Sequence, residues 1–167
     1  MMRGIALAVV LSLPLSVGCS SSSDASGSGG SGASTGGAGG SGGMMASCSG
    51  TEQFSAGVEK AGDQGLVKVT IESGDPAPPQ VGNNTWMLTI TDASGTPIPD
   101  ATVSVTPFMP VHGHGTPVTS VITPKGSGSY EADKVNFVMP GPWEITIDVT
   151  LSGGGSDSVM FPFCVEG

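Results

Sequence analysis

Apolar and polar residues alternate strictly from Trp143 to Leu151. Trp143, Ile145, Ile147, Val149 and Leu151 fall on one side, and Glu144, Thr146, Asp148 and Thr150 on the other. A period of two over this length marks a β-strand buried on one face. The same period recurs in Val67-x-Val69-x-Ile71, Trp86-x-Leu88-x-Ile90, Ala101-x-Val103-x-Val105 and Val159-x-Phe161-x-Phe163. Val118 to Ile122 reads as a further strand, as does Tyr130 to Val138. Within the latter the apolar parity changes near Lys134, which predicts a β-bulge.

The runs are separated by breakers. Gly74 to Pro79 carries three prolines that cannot donate to a central ladder. Asp92 to Gly95, Pro124 to Gly128 and Gly153 to Gly155 are turn sequences. In Met44 to Gly65, Gly57 and Gly62 spoil the helical turn that Glu52 to Lys60 would otherwise suggest, so that segment reads as mostly irregular. About seven short strands without a convincing helix between them predict an antiparallel, immunoglobulin-like β-sandwich, with Trp86 and Trp143 in its core.

The strands occupy only part of the chain. Arg3, an apolar run from Ile5 to Val17 and small residues leading to Cys19 have the make-up of an export signal, too short to span a bilayer. Its ending, Ser16-Val17-Gly18-Cys19, resembles the lipobox of bacterial lipoproteins, in which the cysteine thiol is lipidated and becomes the new N-terminus. Leu15 stands one place further upstream than that pattern prefers, and a plain signal peptide leaving Cys19 free is the alternative. Ser20 resembles the context that sorts Gram-negative lipoproteins to the outer rather than the inner membrane. Ser20 to Gly43 is Ser, Gly, Ala and Thr apart from Asp24, a composition that cannot build a core and is expected to stay disordered. Such a leash has an r.m.s. reach of about 25–30 Å. The expected organisation is therefore a lipoprotein signal peptide at 1–19, a disordered linker at 20–47 and a sandwich domain at 48–167. The expected location is the cell envelope, outside the cytoplasm, with the membrane reached through the N-terminal lipid.

Composition narrows the partners. A formal net charge of −9 with only five Lys+Arg residues argues against nucleic acid. With Cys19 assigned to lipid, Cys48 and Cys164 remain, flanking the domain in a compartment where disulfides persist. Cys164 has the opposite parity to Phe161 and Phe163, so it is expected to face away from the core and to pair with Cys48, clamping the N-terminal segment onto the last strand.

The chemistry concentrates in Met109-Pro110-Val111-His112-Gly113-His114-Gly115, which holds both histidines of the chain. At i and i+2 an extended backbone would put both imidazoles on one side, and Gly113 and Gly115 leave room around an ion. Imidazole suits copper, zinc and nickel, and the Met109 thioether suits Cu(I). Met139, in a second Met-Pro dipeptide, is the expected fourth ligand across one end of the sandwich. The competing reading is a turn with exposed imidazoles over two core methionines. No Gly-x-Ser-x-Gly elbow, Cys-x-x-Cys or phosphate loop occurs, and the expectation is that the protein is not an enzyme. Asn83-Asn84-Thr85 matches a glycosylation sequon, which a bacterial lipoprotein would leave unused.

Several short motifs, in order, carry a family resemblance: Gly82-Asn83-Asn84-Thr85-Trp86-Met87-Leu88, Gly95-Thr96-Pro97-Ile98, Ala101-Thr102-Val103, Met109-Pro110-Val111-His112-Gly113, Gly128-Ser129-Tyr130 and Met139-Pro140-Gly141-Pro142-Trp143-Glu144-Ile145. From about Pro76 to Thr150 the chain resembles the YtkA-like domain, which is related to the FixH family. The resemblance implies an immunoglobulin-like sandwich, often secreted or membrane-attached, whose relatives occur alongside copper-handling and heavy-metal efflux systems. FixH proteins carry a transmembrane helix, whereas here a lipid tether and leash are expected. Two functional expectations follow. One is a module that binds copper and hands it to a metal-transport partner. The other is a structural or interaction module that docks an envelope protein.

Overall fold

The computed structural model describes residues 48–166. The targeting segment, Cys19 and the linker lie outside the described residues, as does the Gly167 end of the expected domain. Nine strands follow in chain order: β1 Val58–Ala61, β2 Val67–Asp75, β3 Gly82–Asp92, β4 Thr102–Met109, β5 His114–Gly115, β6 Val121–Gly126, β7 Ser129–Phe137, β8 Gly141–Thr150 and β9 Ser156–Val165. They form a five-stranded sheet in the order β1-β2-β3-β7-β6 and a four-stranded sheet in the order β5-β4-β8-β9. Every pairing between these strands is antiparallel. The molecule is the expected immunoglobulin-like β-sandwich, and no helix occurs among the described residues.

The inward rows of the two sheets meet in one core. Val67, Val69 and Ile71 of β2, Trp86, Leu88 and Ile90 of β3, and Trp143, Ile145 and Ile147 of β8 are fully buried. The aromatic centre joins the layers: Trp86 lies 6.2 Å from Phe137 and 6.0 Å from Phe163, and Phe137 lies 5.3 Å edge-on from Trp143. The parity change in β7 is a bulge. Tyr130 and Ala132 are buried on one phase, Val135 and Phe137 on the other, and Lys134 between them takes a φ of 57°. The register with β3 shifts between Asn84 and Trp86 at the same level.

Three expectations about elements need correcting. Val58–Ala61 is a strand, not an irregular segment, because pairing with β2 from Val58↔Ile71 to Ala61↔Lys68 supplies the order that its glycine-flanked sequence lacks. The strand placed at Val118 to Ile122 begins at Val121 and runs through Pro124, which an edge strand tolerates. The turn then falls on Ser127 and Gly128. β1 and the two-residue β5 account for nine strands where about seven were expected.

Cys48 and Cys164 form a disulfide with Cα atoms 5.5 Å apart, within the usual range. Cys164 is half-buried on the outward phase of β9, as its parity requires. Beyond the disulfide, Glu52 N–H donates to the Pro162 carbonyl across 2.7 Å, and Asp63 N–H donates to the Ser158 carbonyl across 3.0 Å. The N-terminal segment is thus laid along the free edge of β9.

Candidate functional site at the histidine hairpin

Met109 and His114 are cross-strand partners that close a four-residue hairpin loop between β4 and β5. Pro110 presets the first loop residue, and Gly113, at φ 66°, supplies the left-handed residue that returns the chain. Backbone N–H groups of His112 and Gly113 donate to the Met109 carbonyl across 3.2 and 2.9 Å. His112 therefore sits in a turn, and the extended backbone expected at i and i+2 is not what forms. The turn nevertheless brings the rings together: the His112 and His114 centroids are 5.8 Å apart with planes inclined by 29°.

His114 is the more fixed of the two. It pairs with the inward-facing Met109, and its ring meets the buried Trp143 edge-on at 6.0 Å. Its Nδ1 lies 2.9 Å from the Gly115 carbonyl oxygen. A carbonyl can only accept, so this contact is an Nδ1–H donation, and Nε2 is the ring nitrogen left open to a ligand. A ring N–H anchored on a carbonyl is the arrangement that orients an imidazole for metal ligation. His112 is exposed on the loop.

The methionines differ. Met109 is fully buried in the core, beneath the hairpin it anchors. Met139, between β7 and β8, is half-buried and packs against that core. Trp143 ties the two parts together, since its Nε1 donates to the Met139 carbonyl across 3.0 Å while its ring contacts His114. Met139 and the hairpin thus stand at the same end of the sandwich. No group of three or more His, Cys, Asp or Glu residues able to hold a metal ion occurs among the described residues, so any ion here would rest on the two imidazoles and sulfur.

On the outward side of the same end lies a shallow cavity of about 200 Å³. Pro142, Glu144 and Pro162 line it together with Ser49-Gly50-Thr51 and Pro110-Val111.

The sequence reading missed one polar site. Asp157 is 3% exposed, at the start of β9. Its Oδ1 accepts from the N–H groups of Gln64 and Ser158 across 2.8 and 2.9 Å, and its Oδ2 from Leu66 and Val67 across 2.8 and 3.2 Å. Burial pushes the carboxyl upward, but these donors outweigh it and hold the group below the ordinary carboxylate value. The signal was its parity, which matches Val159, Phe161 and Phe163. The arrangement is a clamp on the β1–β2 turn, fully occupied by backbone.

No curated protein and no solved structure matches the chain. The model of one family, described as YtkA-like, matches residues 63–148, a span that runs from the β1–β2 turn into β8 and contains the hairpin, Met139 and Trp143. With just over half of its length inside that match, this chain belongs to the YtkA-like family.

Proposed function

We propose that the protein is a non-enzymatic, lipid-anchored module of the cell envelope that binds a soft metal ion, copper foremost, at the histidine hairpin and passes it on. The observation that carries this reading is the paired imidazoles, with the His114 ring held by its Nδ1–H on the Gly115 carbonyl. Two imidazoles sharing one ion at ordinary bond lengths place their ring centres on the order of 5–6 Å apart, which matches the separation found here. Met139, half-buried at the same end and tied to Trp143 through its backbone carbonyl, is the sulfur donor in this reading. Met109 would need the hairpin to lift before its buried thioether reached an ion, so it serves first as the floor of the site. An exposed His112 favours ligand exchange with a partner.

The anchor and leash rest on the sequence from Arg3 to Gly43, and Cys19 carries the lipid in this reading. Mass analysis of the mature N-terminus tests the anchor: an unacylated Cys19 in the exporting cell would defeat it. Titration of the mature protein with Cu(I) against a competing chelator tests the site. Loss of affinity in His112→Ala/His114→Ala is expected, and unchanged affinity would sink the proposal.

A further inference from the structure

The charges of the domain are divided between its two sheets. Lys60, Lys68, Lys125 and Lys134, the cationic side chains of the described residues, lie on β1, β2, β6 and β7, all in the five-stranded sheet. There Lys60 pairs with Glu52, Lys68 with Glu59 and Lys125 with Glu131. The outward face of the four-stranded sheet has no cation among its described residues. Its charged groups are Glu144 and Asp148 on β8.

Exposed apolar side chains on β4 and β9 flank the polar row of β8 on that face. The register sets Phe108 beside Glu144 and Glu144 beside Pro162, while the next row sets Thr106, Thr146 and Met160 side by side. Phe108 is 41% and Met160 43% exposed, and Val111, on the adjoining hairpin, is 63% exposed. Exposed apolar side chains interleaved with carboxylates and hydroxyls give a mixed surface suited to a partner of opposite charge. At its end lies the cavity between Thr51 and Val111, lined by Pro142, Pro162 and Glu144. It suits a lysine or arginine whose stem rests on the prolines while its charge meets the carboxylate.

We propose that the outward face of the four-stranded sheet, from this cavity across Phe108 and Met160, docks a partner protein that presents basic side chains flanked by apolar ones. One-signed charge steers such a partner and rejects acidic ones, while the apolar residues supply affinity. The proposal stands apart from metal binding and is tested on metal-free protein.

The probe is a short peptide alternating lysine and valine, added to the isotope-labelled full chain and followed by amide chemical shifts. Its glutamate–valine counterpart is the control. Saturable shifts confined to Phe108, Val111, Glu144, Thr146 and Met160, weakening as salt rises toward about 0.15 M, support the proposal. Val111→Ser, on an exposed loop, is expected to weaken binding about fivefold without disturbing the fold, and Glu144→Gln is expected to flatten the salt dependence. Shifts spread equally over Glu59, Glu72 and Asp133, or equal binding of the glutamate peptide, would overturn it. Shifts on this face that depend on protein concentration without peptide would also overturn it, by making a second copy the occupant.

Discussion

The Tyr130 hydroxyl donates to the Ile98 carbonyl across 2.7 Å and accepts from the Ala101 N–H across 3.0 Å. One buried side chain on β7 thereby fastens the segment that enters β4, binding one sheet to the other. Tyr130→Phe leaves both backbone groups without that partner, and an unfolding titration should show a loss of about 1–2 kcal/mol. Burial is the main cause that raises the phenol above its ordinary value of 10.0, and the Asp100 charge adds to it. A raised folded value means that this contribution is complete below about pH 10 and fades as pH rises through the folded pKa. The wild type should therefore lose stability in strong alkali more steeply than Tyr130→Phe.

The Asp157 clamp has the opposite sign. Its carboxyl is held below the ordinary range, so its contribution is present above the unfolded value near pH 4 and is lost as pH falls through the folded one. Asp157→Asn turns an amide donor toward backbone N–H groups and should cost about 1–3 kcal/mol at neutral pH. The mutant should also flatten the acid limb of a stability–pH curve. Gly62→Ala should damage the same clamp, because a Cβ there meets the Asp157 carboxylate at van der Waals overlap. Unchanged urea midpoints in both variants would refute the account.

Lys134 holds a left-handed backbone at the β7 bulge with φ 57°. A non-glycine residue in that region carries a cost of about 1–2 kcal/mol, so Lys134→Gly should stabilise the domain by up to about 1 kcal/mol. A drop in melting temperature would show that the lysine compensates in another way.

The Cys48–Cys164 link closes a sequence separation of 116 residues, which in the chain-entropy model contributes about 4–5 kcal/mol. Cys48→Ser/Cys164→Ser should unfold at correspondingly lower denaturant. Thiol counting on unreduced mature protein checks the pairing directly, and finding both thiols free would dismiss it.

At the hairpin, Trp143 touches the His114 ring. Copper bound there should quench indole emission in a saturable way, and His114→Ala should abolish the change. Cu(I) affinity in that variant should fall at least tenfold, about 1.4 kcal/mol. Met139→Leu should weaken Cu(I) more than Zn(II), since a thioether favours the softer ion.

Much of the fold was legible because burial on one face writes itself into alternate positions. Trp86-x-Leu88-x-Ile90 and Trp143-x-Ile145-x-Ile147 needed no partner to be read, and the phase slip at Lys134 located a bulge. β1 was not legible, because its order comes from β2 and not from its own residues. The hairpin was misread locally: Pro110 and Gly113 are turn residues, yet the i, i+2 spacing of the histidines suggested a strand. The contact between His114 and Trp143, like the reach of Asp157 to Gln64 and Leu66, depends on which strands neighbour one another. Periodicity along one strand carries no such information.

The edge of β9 has a further consequence. Its Pro162 carbonyl is taken by Glu52, its Ser158 carbonyl by Asp63, and proline at 162 offers no N–H on that side. A growing fibril needs an uninterrupted row of donors and acceptors, and this border offers an incoming strand only a broken one. However densely copies are packed, they cannot recruit one another along this border into a continuous ribbon. Along this border the protection against strand addition lies in three backbone positions.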